Sequence, residues 1–157
     1  MNTFVVYDST FGNTKQVAEA IANALHEYGS VEVVSVEHTH PLVLEGVDVL
    51  ILGCPTQGWR PTQAMRDLLE YIPTESLKRL NIACFDTRFD RSAMVTGSAA
   101  KLMARKLSKR GALHLLPTES FFVEGMHGPL KSGELEQAAN WVRLIHESVS
   151  ADLIAAQ

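Results

Sequence analysis

Two hydrophobic periods take turns along this chain. Thr3–Asp8 is a nearly unbroken apolar run that reads as a buried strand, and Val31–Val36, Val47–Gly53 and Asn81–Phe85 repeat the pattern. Segments of helical period lie between them. Thr14–Tyr28 carries Val17, Ile21, Leu25 and Tyr28 on one face and stops at Gly29, and Thr62–Ile72 turns Met65, Leu68, Leu69 and Ile72 inward. Gly97–Arg110 does the same with Ala99, Leu102, Met103 and Leu107 before Gly111. Leu113–Leu116 and Ser120–Val123 read as two pieces of a fifth strand parted by Pro117. Ser132–Val149 is a closing helix expected to bury Leu135, Ala138, Val142, Ile145 and Val149, with the chain fraying from Ser150 onward. Glu37–Gly46 is the weakest stretch: Pro41 interrupts it, and only Leu42–Glu45 suits a short helix.

Strands that alternate with helices call for right-handed crossovers and a parallel sheet covered on both faces. The expectation is an α/β three-layer sandwich with five parallel strands, built as a single domain over residues 1–157. Ligands of such sheets bind beyond the carboxyl ends of the strands, near the point where the strand order reverses. That rule singles out three loops: Ser9–Thr14, Pro55–Thr62 and Asp86–Ser92.

The first loop, Ser9-Thr10-Phe11-Gly12-Asn13-Thr14, joins a strand to a helix start, where unpaired amides carry partial positive charge. Ser9, Thr10 and Thr14 add hydroxyls, Asn13 an amide, and Gly12 lets the backbone wrap closely, so the loop is a seat for a phosphate. An ordinary helix cap, through Thr10 or Asn13, needs only one such residue, and four are present. A dinucleotide turn would need three glycines where Gly12 stands alone, and a nucleotide P-loop would need Gly-Lys-Ser/Thr where Gly12-Asn13-Thr14 is found.

Composition narrows the classes without naming one. The chain is 46% hydrophobic and 20% charged, with a formal net charge of −4, which argues against general nucleic-acid binding. No apolar stretch is long enough for a membrane span and no leader is evident, so a cytoplasmic protein is expected. Cys54 and Cys84 read as buried free thiols. His38-x-His40 lacks a third ligand, so no metal site is expected. Lys101, Arg105, Lys106, Lys109 and Arg110 form either a solvated helix face or a docking patch for an acidic partner.

Taken together, the three loops resemble those of the flavodoxin family of FMN-binding proteins, over essentially the whole chain. The resemblance implies strand order 2-1-3-4-5 and FMN as cofactor. Its phosphate would lie in Ser9–Thr14, with Phe11 where many members have another Thr. Gly53-Cys54-Pro55-Thr56 resembles the start of the loop against one face of the isoalloxazine, so Pro55, Thr56, Gln57, Gly58 and Trp59 become cofactor-binding candidates. Trp59 is the loop's only aromatic residue and the candidate for stacking, although the family often has its Trp where this chain has Gln57, and Gln57 could instead meet the reactive edge of the ring. Ala83-Cys84-Phe85-Asp86-Thr87-Arg88 resembles the loop lining the other side, which adds Asp86, Thr87, Arg88 and Phe89, with amides around Thr87–Phe89 facing the pyrimidine edge. His127 follows the fifth strand and could overlook the same edge, whereas Trp141 on the last helix is expected to be packing.

The function implied is one-electron transfer between redox partner proteins, a reductase and an acceptor, by a monomer or weak homodimer with no nucleic-acid or membrane partner. The alternative on the same fold is an FMN-dependent NAD(P)H or quinone oxidoreductase. Arg60, Arg88 and Arg91 lie in or beside the two flavin loops, unlike the acidic surroundings typical of the family. Cations near the ring should raise the potential of the second one-electron step.

Overall fold

The computed structural model describes residues 1–40 and 42–156. Its central element is β3 (Val49–Pro55), buried almost throughout, with β1 (Asn2–Tyr7) paired parallel on one edge and β4 (Asn81–Phe89) on the other. β2 (Ser30–Ser35) pairs with the far edge of β1. The fifth position is shared by two short pieces, β5 (Leu113–His114) and β6 (Glu119–Val123), both parallel to β4. The order is therefore β2-β1-β3-β4-β5 with β6 extending the last position, the five-position parallel sheet expected from the sequence.

Period-two alternation sends successive residues of each strand to opposite faces. Phe4, Val6, Leu50, Leu52, Cys54, Ile82 and Cys84 face α2 (Gln63–Tyr71) and α5 (Ala99–Ser108). Val5, Val49, Ile51, Ala83 and Phe85 face α1 (Asn13–Leu25) and α6 (Glu134–Ala155). Both faces are covered, which is why these strands read as continuous apolar runs. Phe85, Phe121 and Trp141 pack edge-to-face at 5.8–6.2 Å between centroids, so Trp141 is a core residue. Phe85 needs Gly53 beside it, since a Cβ there would lie 2.0 Å from its ring.

The structure departs from the sequence expectations in several places. Leu42–Glu45 is not helical: Leu42 and Leu44 pack on the core while Val43 between them is exposed, an extended pattern too short to nucleate a helix. A 3-10 turn forms earlier, at Val36–His38, and Pro41 lies outside the described residues. Two short helices, α3 (Thr74–Leu77) and α4 (Ala93–Thr96), arise in segments with no helical period. α6 runs on to Ala155, because nothing after Ser150 breaks a helix, and its first-turn Leu135 is exposed rather than buried. Leu102, expected inward on α5, is also exposed. β4 continues to Phe89, four residues past its expected end, because β6 gives it a pairing edge as far as Phe89–Val123.

Candidate functional site

The turn after β1 is built around the hydroxyl of Ser9, which accepts hydrogen bonds from the amides of Gly12 (3.1 Å) and Lys15 (3.2 Å). Gly12 takes the cap position of α1 at φ 91°, a conformation open to glycine, and has no side chain to cap the helix. Neither Thr10 nor Asn13 serves as a side-chain cap. Among the described residues, the amides of Thr10, Phe11, Asn13 and Thr14 therefore have no protein acceptor. Four amides without a protein acceptor at a helix N-terminus make an anion site. Lys15 points to solvent, within 3.9 Å of Glu19, so the positive potential here is that of the backbone.

A cleft of about 1130 Å³ opens above this turn. One wall is the loop after β3. Gln57 and Arg60 exchange backbone hydrogen bonds (2.9 and 3.2 Å) around Gly58 (φ 54°) and Trp59 (φ 72°), the positive-φ pair that a type I′ turn demands. A bulky residue is rare in that conformation, and Trp59 holds it with its side chain 57% exposed at the cleft. Gly97 lies directly behind, so close that a Cβ there would come within 2.6 Å of the Trp59 Cα. The amide side chain of Gln57 donates to the Thr10 hydroxyl (2.8 Å), which ties this wall to the first turn.

The opposite wall is the end of β4. β3 pairs with it only as far as Pro55–Thr87, whereas β6 continues to Phe89–Val123, so beyond Thr87 one edge of β4 stays open on the cleft side. The Thr87 and Thr14 hydroxyls share a hydrogen bond (2.8 Å) that joins this strand to α1. Beneath the floor, Asp86 is fully buried, and its Oδ2 accepts from the Thr56 hydroxyl (3.1 Å), the Ser98 hydroxyl (2.7 Å) and the Ala100 amide (3.1 Å). Thr56 in turn accepts from the Ala99 amide (2.9 Å). One carboxylate thereby holds the β3 loop, the start of α5 and β4 together. Arg88 Nε lies 3.7 Å from its other oxygen, and the guanidinium also reaches Ser120, Thr96 and the Arg91 carbonyl.

Twelve of the residues expected from the sequence line this one cleft: Thr10, Phe11, Asn13, Thr14, Pro55, Thr56, Gln57, Gly58, Trp59, Thr87, Arg88 and Phe89. Three lie beneath it: Ser9 and Gly12 shape the turn, and Asp86 anchors the floor. Gln57 lines the cleft with its amide held by Thr10, and one expectation changes: Arg60, read as beside the flavin, lines a separate groove between α2 and α5. Sequence reasoning passed over Val123, Glu124, Met126 and Lys131, which close the cleft's far end. Val123 ends β6 and the other three follow it in a tight loop (Glu124 N to Pro129 O, 2.8 Å; Lys131 N to Phe122 O, 2.9 Å), where the strand-end rule applied to the fifth strand points. Gly128 of that loop rests on Asn13, and His127 packs edge-to-face on Phe11 at 4.3 Å.

A sequence profile described as Flavodoxin matches residues 5–141. Among solved structures, a flavodoxin from the domain Archaea is 25% identical, with a TM-score of 0.80 over 96% of this chain and 99% of that one. Oxidised flavodoxin 1 from Bacillus cereus is 23% identical, with a TM-score of 0.77 over 94% and 98%. The rubredoxin oxygen:oxidoreductase from Desulfovibrio gigas is 17% identical with a TM-score of 0.75, and there the match takes 97% of this chain but 37% of the larger one.

Proposed function

The chain belongs to the flavodoxin family, whose cofactor is FMN, and from that premise we propose that it is a one-electron carrier between redox proteins. The observation that carries the reading is the cleft itself. An apolar and aromatic slot lies between Trp59 and the β4 edge, with an unpartnered set of amides at one end. That donor set suits FMN: the amides of Thr10, Phe11, Asn13 and Thr14 with nearby hydroxyls match the oxygens of a phosphate, and the exposed Trp59 ring matches a flat heterocycle. When bound, FMN supplies reversible single-electron chemistry that no amino-acid side chain here offers.

The protein's share is binding, orientation and electrostatics. Ser9 and Gly12 hold the first turn in its anion-binding shape, and Asp86 fixes the walls relative to each other. Trp59 excludes water from one side of the slot, and Phe89, 43% exposed, is placed to do so at the other. Exposed apolar side chains at the rim, Met94 and Val95, leave this end of the molecule suited to a transient partner.

The test is an absorbance spectrum of the purified protein followed by anaerobic reductive titration. A one-electron carrier should bind FMN stoichiometrically and reduce in two resolved steps. Rapid bleaching of the flavin by NADPH alone, in a single two-electron step, would replace this reading with an NAD(P)H-dependent oxidoreductase.

A further inference from the structure

The second groove of the molecule lies between α2 and α5, has a volume of about 560 Å³, and begins at Arg60, the residue next to Trp59. Six of the chain's 14 lysines and arginines line it (Arg60, Arg66, Arg105, Lys106, Lys109 and Arg110), and no carboxylate does, although the whole chain is net negative. Internal pairing accounts for half of them. Arg110 donates to the Leu69 and Ile72 carbonyls at the end of α2, Lys106 pairs with Glu70, and Arg66 donates to Gln63. Arg60, Arg105 and Lys109 have no ion-pair partner among the described residues.

Lys101, Arg105 and Lys109 repeat at four-residue spacing, on one exposed ridge of α5. Like charges at that spacing repel and weaken a helix. An acid at any one of the three would relieve the repulsion, so the ridge is uncompensated within the chain. Leu102 adds an exposed apolar side chain to the groove, and Trp59, the neighbour of Arg60, is exposed at the cleft. The cations are spread along the length of two helices, which is unlike a compact phosphate seat.

We propose that the α2–α5 groove docks an acidic protein partner, an electron-transfer protein of opposite charge that reaches over Arg60 toward the cleft. Charge complementarity of this kind steers encounter and fixes orientation with little buried area, as brief redox contacts require. The inference rests on the carrier reading, but its test does not need the cofactor, because the groove exists without it.

The experiment is calorimetric titration of the full chain, with and without FMN, using an acidic [2Fe–2S] ferredoxin as probe and a basic cytochrome c as control. Expected is saturable ferredoxin binding at about 20 mM salt that weakens about 10-fold or more at about 200 mM. Arg105→Glu with Lys109→Glu should weaken it about 10-fold or more at low salt and leave cytochrome c binding no weaker. Arg105→Gln with Lys109→Gln, which conserves helix propensity, should give a smaller loss in the same direction. Equal ferredoxin binding by all variants, no ferredoxin binding, or preference for cytochrome c would overturn the proposal. So would saturable NADPH binding that the charge reversals abolish while ferredoxin fails to bind. A protein that takes up FMN yet fails these titrations loses the docking site and keeps the carrier role; one that passes without taking up FMN does the reverse.

Discussion

At the scale of single residues, Trp59 carries the sharpest conflict between stability and use. Its backbone sits at φ 72°, which costs an L residue about 1–2 kcal/mol, while its ring stays mostly in solvent and contributes little to the core. Trp59→Gly should therefore leave the urea midpoint of the FMN-free protein unchanged or raise it, while FMN binding followed by flavin fluorescence weakens about 10-fold or more from the lost stacking. A loss of stability equal to the loss of affinity would show that the ring is packing instead. The two thiols are the opposite case. Burial raises both Cys54 and Cys84, the latter to about 12, and nearby Asp86 adds to the effect. At about pH 8 both remain protonated and unreactive, so a thiol reagent should label neither until denaturant is added.

At the scale of elements, strand and helix order was legible because both faces of the sheet are covered, which writes the two hydrophobic periods cleanly into β1, β3, α1 and α2. The end of β4 was not legible. Asp86-Thr87-Arg88-Phe89 reads as a polar loop, and its strand character depends on β6, a partner more than thirty residues away that no local pattern announces. The type I′ turn was hidden for a related reason: Gly58 signals a turn, but a Trp at the second central position does not. What allows the turn is Gly97, whose missing side chain leaves room for the Trp59 backbone. Gly97→Ala, also at positive φ (71°), should cost about 2–3 kcal/mol in unfolding free energy and weaken FMN binding with it. Gly46→Ala is the control. Its φ is 75° but nothing lies within 4 Å, so it should cost about 1 kcal/mol of backbone strain and leave FMN affinity unaltered.

At the scale of the whole molecule, the sequence located the positive charge in the right loops but not on the right surfaces. Arg60, Arg88 and Arg91 all sit in or beside the flavin loops, yet the fold sends Arg60 into the α2–α5 groove and folds Arg88 down onto Asp86. Three cations line the cleft: Arg88, beside the buried Asp86, Arg91, and Lys131, which pairs with Asp90 at 2.9 Å; Glu124 stands among them. Because Asp86 offsets Arg88, the expectation of a raised second potential rests chiefly on Arg91 and Lys131. A unit charge about 10 Å away in water-like surroundings is worth about 0.4 kcal/mol, or roughly 20 mV for one electron. Arg91→Gln should lower the potential of the second one-electron step by about that much, because it removes a cation that stabilises added negative charge. Lys131→Gln should lower it by a similar amount, since it too removes one unit of positive charge and leaves Asp90 without its counter-ion beside the cleft. Arg60→Gln, on the groove side, should move it by less than half as much. Anaerobic potentiometric titration at fixed salt measures all three, and a larger shift for Arg60 than for Lys131 would return the groove arginine to the flavin's surroundings.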